Sequence, residues 1–291
     1  MKKNYLFVIF LAFLFTSFIL NTSVSAEEDF IKTGDSYKFK GKFDKAITYY
    51  EKALELIIKD KENKFLDIAA IYANIADAYN SKEKYKKAIE FYDKSLEIYS
   101  SKKGKESAET AEIYKSLGSV YHNNEDYKKS IECFEIALAI FLKMSGSKDT
   151  NVAELCFKTG LSHLQKEDCD TALNYFHRAI VIYRKILGKD HINIAEICNY
   201  MAIAYQKKEM PAKAIEFYER SLTIYLKSIR AEDLIVADGC FNLAQLYYDS
   251  NERKLALEYM EIAWNLYIRI YSEEHHTARK ARELFIEWAG N

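Results

Sequence analysis

Apolar residues along most of the chain fall at i, i+3, i+4 and i+7, with polar residues between them, which is the signature of helices with one buried stripe. The stripes recur. Segments starting at Ala46 (AITYYEKAL), Ala88 (AIEFYDKSL), Ser130 (SIECFEIAL), Ala172 (ALNYFHRAI), Ala214 (AIEFYERSL) and Ala256 (ALEYMEIAW) are spaced by 42 residues without an insertion. A second series runs in phase: Gly34, Ala76, Gly118, Gly160, Ala202 and Ala244, each followed three residues later by Tyr37, Tyr79, Tyr121, His163, Tyr205 and Tyr247. Each period therefore holds two amphipathic helices, and six in-phase copies define a repeat array.

The recurrent residue types have physical reasons. A Gly or Ala in mid-helix admits close approach of a neighbour, as does the Ala or Ser opening each second helix. Tyr50, Tyr92, Phe134, Phe176 and Tyr218, with Leu54, Leu96, Leu138, Ile180 and Leu222, fill the space around these contacts. Short polar runs such as Lys82-Glu83-Lys84 join first helix to second, and Pro211 opens a helix where its missing N–H costs nothing. Longer links carry Gly104, Gly146 and Gly188 in register as helix stops. The spacing predicts helix pairs near 28–59, 67–101, 109–143, 151–187, 193–229 and 235–271, with a capping helix over 276–291.

Composition agrees: one Pro and nine Gly in 291 residues leave too little turn chemistry for an all-β domain. Residues 1–26 are set apart. Lys2 and Lys3 precede an apolar run from Tyr5 to Leu20, followed by the small residues Val24 and Ala26, the layout of a secretory signal peptide cut before Glu27. Sixteen helical residues span about 24 Å, short of the roughly 30 Å hydrocarbon core, so an uncleaved anchor is the weaker alternative. Export, to a periplasmic, cell-surface or extracellular location, is the expectation, with no membrane span in the mature chain. The whole chain carries 42 bases against 43 acids. Losing two Lys with the leader brings the mature charge to −3, which argues against a generic nucleic-acid binder.

The repeat resembles the tetratricopeptide repeat (TPR). Leu117-Gly118 with Tyr121 matches its first helix, and the Ala-aromatic-Ala pattern matches its second. The 42-residue period and Gly188-Lys189-Asp190-His191 look like the kinesin-light-chain-type subclass, with Ile192 in place of the usual Pro. Departures are Arg230 and Ser272 for the linker Gly, His163 for Tyr, and Met260 and Trp264 in the last copy. The resemblance implies an all-α, right-handed superhelical solenoid of antiparallel helix pairs, whose first helices line a concave groove that holds a peptide or partner helix.

Periodicity then assigns the groove. Positions three before, one after and four after the Gly/Ala landmark share the inward face. The first three copies supply Ile31, Asp35 and Lys38, Ala73, Asp77 and Asn80, and Lys115, Ser119 and His122, a mostly polar lining. The last three supply Phe157, Leu161 and Leu164, Asn199, Ile203 and Gln206, and Phe241, Gln245 and Tyr248, distinctly apolar and aromatic. Two readings stay open: a partner docks there, or curvature buries these side chains against one another. A row of acids at Glu112, Glu154, Glu196 and Asp238 either complements the helix dipoles or forms an acidic edge suited to basic flanks on an apolar-anchored partner.

Catalysis finds no positive support. Cys133, Cys156, Cys169, Cys198 and Cys240 include no C-x-x-C pair, no helix carries His at i and i+4, and neither a phosphate loop nor a nucleophile elbow occurs. Cys156, Cys198 and Cys240 share a core position; Cys169 stands at a turn where exposure is expected. No metal or cofactor is implied. The expected activity is that of an exported, non-enzymatic interaction scaffold with a protein or peptide partner. The alternative is an assembly module of an envelope or multiprotein complex that self-associates or docks through its end or convex faces.

Overall fold

A computed structural model describes residues 26–59, 64–146, 149–227 and 234–290. Residues 1–25, which hold all but the last residue of the expected signal peptide, and the Arg230 link position lie outside the described residues. Among these residues there are thirteen helices and no strand: α1 (residues 26–39), α2 (Phe43–Lys59), α3 (Phe65–Ser81), α4 (Tyr85–Lys102), α5 (Ala108–Asn123), α6 (Tyr127–Ser145), α7 (Thr150–Gln165), α8 (Cys169–Leu187), α9 (Ile192–Lys207), α10 (Pro211–Lys227), α11 (Leu234–Asp249), α12 (Arg253–Ile270) and α13 (His276–Gly290). They form two compact units with a boundary inside α6, residues up to Ile140 and from Phe141 onward.

In the first unit, Tyr50, Ile57, Ile71 and Ile75 pack into one core, flanked by Phe30, Tyr37 and Phe91. A second core joins Ala76, Ala88, Tyr92, Ile113, Leu117 and Val120. In the second unit Leu155, Phe176, Ile194, Ile197, Met201, Tyr218 and Leu243 are fully buried. The Gly landmarks serve aromatic rings. A Cβ on Gly34, Gly118 or Gly160 would lie 2.6, 2.5 or 2.6 Å from the ring of Tyr50, Phe134 or Phe176, the aromatic residue sixteen positions later. Small residues at these sites are thus set by the second helix of the same pair.

Every turn from first to second helix is built alike. Gly41, Glu83, Glu125, Glu167, Glu209 and Asn251, spaced by 42, all have positive φ between 54° and 68°. At Glu83 the amide donates to the Asn80 carbonyl (2.8 Å) and the Lys84 amide to the Tyr79 carbonyl (2.9 Å), and the same pair of bonds recurs at the other five turns. This is the Schellman closure, which satisfies helix-end carbonyls through a left-handed residue. Four of the six use Glu, a β-carbon-bearing residue in a region glycine occupies more readily.

Entry into the next pair also repeats. Ser107 caps α5 through Thr110 N (3.2 Å), Asp149 caps α7 through Asn151 N (2.8 Å), and His191 Nδ1 accepts from Asn193 N (3.2 Å). His275, in the same register, accepts from Thr277 N (3.4 Å). The two histidines that link successive repeats therefore act as N-caps, standing where Ser and Asp stand in other copies.

Helix α13 packs on α12 and closes the end of the second unit. Trp288 is buried and stacks on Tyr248 (4.2 Å between centroids), while Phe285 meets Trp264 at 5.9 Å. Arg253 donates through Nε to the Trp288 carbonyl at 2.9 Å, which satisfies a helix-end acceptor.

Candidate binding face on the first helices

In the first unit the assigned face is mostly polar, Ile31 and Ala73 excepted, and part of it is bonded within the chain. Lys38 donates to Asn74 Oδ1 (2.8 Å) and pairs with Asp77 (3.2 Å), bridging α1 and α3. Tyr50 donates to Asp35 (2.6 Å) and Tyr92 to Asp77. Burial first, and then these carboxylates, push both phenols above the ordinary tyrosine range, so they stay protonated donors. Charges already satisfied within the chain offer little to a ligand.

The second unit differs. Phe157 and Leu161 on α7, Ile203 on α9, and Phe241 and Gln245 on α11 are half-buried, with solvent on one side. Phe157 lies 5.6 Å from Tyr200, an aromatic contact between α7 and α9, and 5.9 Å from Phe176 beneath it. Phe241 meets Tyr267 at 6.3 Å, and the Lys280 ammonium of α13 sits 5.3 Å from its ring centre.

Four assigned residues have other duties. Leu164 is 3% exposed and belongs to the core, because its helix turns it toward α8 and away from the open face. Tyr248 is half-covered by Trp288 of the cap. Gln206 accepts from Tyr218 (2.6 Å), whose hydroxyl also accepts from Asn242 (3.0 Å), a chain that ties α9, α10 and α11 together. Asn199 points its Oδ1 toward Gly239, 3.7 Å from where a Cβ would be, so it faces α11.

The acids are also engaged. Glu112 pairs with Lys115 (2.8 Å), and Glu154 with Lys158 (3.7 Å) one turn along its own helix. Asp238 accepts from Tyr267 (2.7 Å), and Glu196 has a partner as well. In the second unit Glu154, Glu196 and Asp238 begin successive first helices, and all three are engaged within the chain.

Cysteine chemistry is muted. All five thiols are free, and burial pushes Cys133 and Cys240 up to about 12 and Cys198 to about 11, with Cys156 and Cys169 raised for the same reason. A protonated buried thiol is a poor nucleophile. Cys169 is 8% exposed, against the expectation of an exposed turn residue, because it opens α8 facing inward. His163 stacks on Tyr175 (5.6 Å), and its Nδ1 lies 3.1 Å from Asp168. Burial works against the Asp168 charge, but bonds from Thr171 and then His163 hold its carboxyl below the usual range.

That histidine belongs to a periodic device. Tyr37–Tyr49, Tyr79–Phe91, Tyr205–Phe217 and Tyr247–Tyr259 stack at 5.4 to 5.6 Å in the same register. Lys45, Lys87, Lys129 and Lys213 lie 5.1 to 5.5 Å from the corresponding Tyr rings. In the fourth copy Thr171 replaces the Lys, and Asp168 rather than a cation lies beside the imidazole. The in-phase lysines carried this signal in the sequence.

Among the described residues no group of His, Cys, Asp and Glu is arranged to hold a metal, and no helix is long and apolar enough to cross a membrane.

Comparison with known proteins agrees with this architecture. Tetratricopeptide repeat patterns match residues 31–101, 67–143, 157–227 and 242–277. The fold is similar to BtubC (BKLC) from P. vanneervenii, at 19% identity and TM-score 0.63, over 71% of this chain and 89% of that one. Kinesin light chain-type TPR-like repeats from Podosopora anserina align at 19% identity and TM-score 0.58, over 69% and 95%. The apo form of RapI aligns at 15% identity and TM-score 0.67, over 91% and 75%. No curated protein sequence gives a match. With six in-phase helix pairs and repeat patterns matched over most of its length, the chain belongs to the tetratricopeptide repeat family, a family of protein–protein interaction scaffolds.

Proposed function

We propose that the protein is an exported, non-enzymatic scaffold that holds a peptide or partner helix against the first helices of its second unit. One observation carries the reading: Phe157, Leu161, Ile203 and Phe241 present half-exposed apolar surface on three successive first helices. The corresponding face of the first unit is mostly polar, with Ile31 and Ala73 its apolar members, and Lys38 pairs there with Asp77. Apolar surface left open on one face marks a site of contact. The partner buries a few apolar anchors there, at roughly 25 cal/mol per Å² before ordering costs. Basic flanks on it meet Glu154, Glu196 and Asp238, a secondary contribution because all three carboxylates already have partners within the chain. Export rests on the leader-like segment before Glu27.

Replacing Phe157, Leu161 and Phe241 with Ser should abolish capture of the partner from a native extract and leave the far-UV circular dichroism unchanged. Undiminished capture by a folded triple variant contradicts the assignment.

A second reading draws on the second helices. Val181, Leu226 and Ile262 of the second unit are 52%, 60% and 45% exposed, and Ile58 and Ile136 of the first are 58% and 42%. Apolar residues in that number on solvent-facing helices favour an assembly role. Light scattering of the mature chain at micromolar concentration separates the two: a monomer argues against self-assembly.

A further inference from the structure

Two neighbouring cavities open between second helices of the second unit. The first, of about 320 Å³, is lined by Leu142 of α6, Val152 of α7, and His177, Arg178, Val181 and Ile182 of α8. The second, of about 240 Å³, is lined by Arg184 of α8, Lys189 and Asp190 of the link, and Arg220, Thr223 and Ile224 of α10. They are the same groove one repeat apart. Adding 42 to Leu142, Arg178, Val181 and Ile182 gives Arg184, Arg220, Thr223 and Ile224. Between one copy and the next, Leu has become Arg and Val has become Thr, so an apolar pocket stands beside a cationic one with α8 as the shared wall.

The charges of the second pocket are uncompensated. Its one carboxylate, Asp190, is paired with Lys227 at 3.1 Å. Arg184, Lys189 and Arg220 have no carboxylate within ion-pair distance among the described residues, in a chain that otherwise pairs its lysines freely. Arg184 is also out of pattern: the same register holds Ile58, Ser100, Leu142, Leu226 and Ile268 in the other copies. The first pocket carries one cation, the exposed Arg178, at the register of Arg220. The Arg178 guanidinium lies 5.4 Å from the Tyr175 ring centre. Desolvation, with Arg220 and Lys213 nearby, holds His177 below the ordinary histidine range, so its ring is uncharged at neutral pH.

We propose that this paired pocket is a docking site for an extended segment of a partner protein that carries an aliphatic side chain and, close to it in sequence, an Asp or Glu. Charge complementarity selects an acidic residue over a basic one. The aliphatic residue enters between Leu142, Val181 and Ile182, and the carboxylate meets Arg184 and Arg220. The site is independent of the first-helix face, which is suited to basic flanks.

The test is selection of random peptides displayed on phage against the full chain, followed by anisotropy measurements on selected synthetic peptides. The expected outcome is peptides that share an aliphatic residue and a nearby acid, with affinity falling about tenfold or more for Arg184→Glu with Arg220→Glu and for Val181→Asp. Binding should persist in the Phe157, Leu161, Phe241 triple Ser variant, which separates this site from the groove. A peptide with Lys in place of its acid should recover binding to the charge-reversed variant. The altered side chains are solvent-exposed, and unchanged circular dichroism confirms folding. Selected peptides without acids, peptides indifferent to Arg184 and Arg220, or no selection at all overturn the proposal. Full displacement by millimolar inorganic phosphate also overturns it, since that marks a free-anion site.

Discussion

The left-handed glutamates at the helix-pair turns provide a sharp test of how the fold is held. Glu83, Glu125, Glu167 and Glu209 adopt φ between 54° and 63°, and each closes a Schellman pair of backbone bonds. A β-carbon in this region costs roughly 1–2 kcal/mol, and glycine gives back about 0.5–1 kcal/mol through its larger loss of backbone freedom. Each Glu→Gly change should therefore stabilise by about 0.5–1 kcal/mol. The four sites lie on separate turns 42 residues apart, so the gains should add to about 2–4 kcal/mol. At roughly 2–4 °C per kcal/mol for a chain of this size, Tm should rise by roughly 5–15 °C. Far-UV circular dichroism on heating reads the shift. Glu→Gln at the same sites isolates the effect of charge, and Glu→Asn should fall between Gln and Gly, in line with Asn251 in the last copy. Gly41→Ala should lose about 1 kcal/mol, as should Glu97→Gly on the exposed face of α4. If the four turn variants lose stability as Glu97→Gly does, the backbone argument is refuted.

Three further outcomes follow from the packing and charges. Gly160→Ala places a Cβ 2.6 Å from the Phe176 ring and 3.2 Å from the Ala172 carbonyl, so it should cost about 1–3 kcal/mol, with the loss reduced in a Phe176→Leu background; equal losses in both backgrounds would refute the contact. Because the folded chain holds His177 below its ordinary value of 6.5, the unfolded chain takes the proton first, and its contribution is complete above about pH 6.5 and declines as pH falls. Melting curves between about pH 7.5 and 5.5 should therefore fall less steeply for His177→Asn than for the native chain, and parallel curves would contradict this. The buried thiols should react with a disulfide reagent orders of magnitude more slowly in the native than in the unfolded chain, and rapid native labelling of Cys169 would contradict its inward placement.

The helix pairs were legible because one period governs both the apolar stripe and the small-residue landmarks, and neither survives a one-residue shift. Gly104, Gly146 and Gly188, anticipated as helix stops, all have positive φ. Less visible were features with no residue-type mark. A left-handed glutamate looks like any surface glutamate, and the turn bonds that hold it come from the backbone. Leu164 shares its register with Asn80 and Gln206, so spacing alone placed it on the open face, whereas its contacts turn it into the core. Tyr248 was assigned without the cap that stacks on it. The second-helix pockets needed comparison of copies at positions outside the repeat's own signature, where Arg184 stands among Ile, Ser and Leu.

Site-specific photocrosslinking tests the central assignment most directly. A photoreactive side chain at Ile203 or Gln245, both half-buried on first helices of the second unit, should give a covalent adduct with the partner in the native host. The same probe at Asp35 or Ser119, on the polar face of the first unit, should give none. Adducts confined to the first-unit positions, with none from Ile203 or Gln245, would contradict the account.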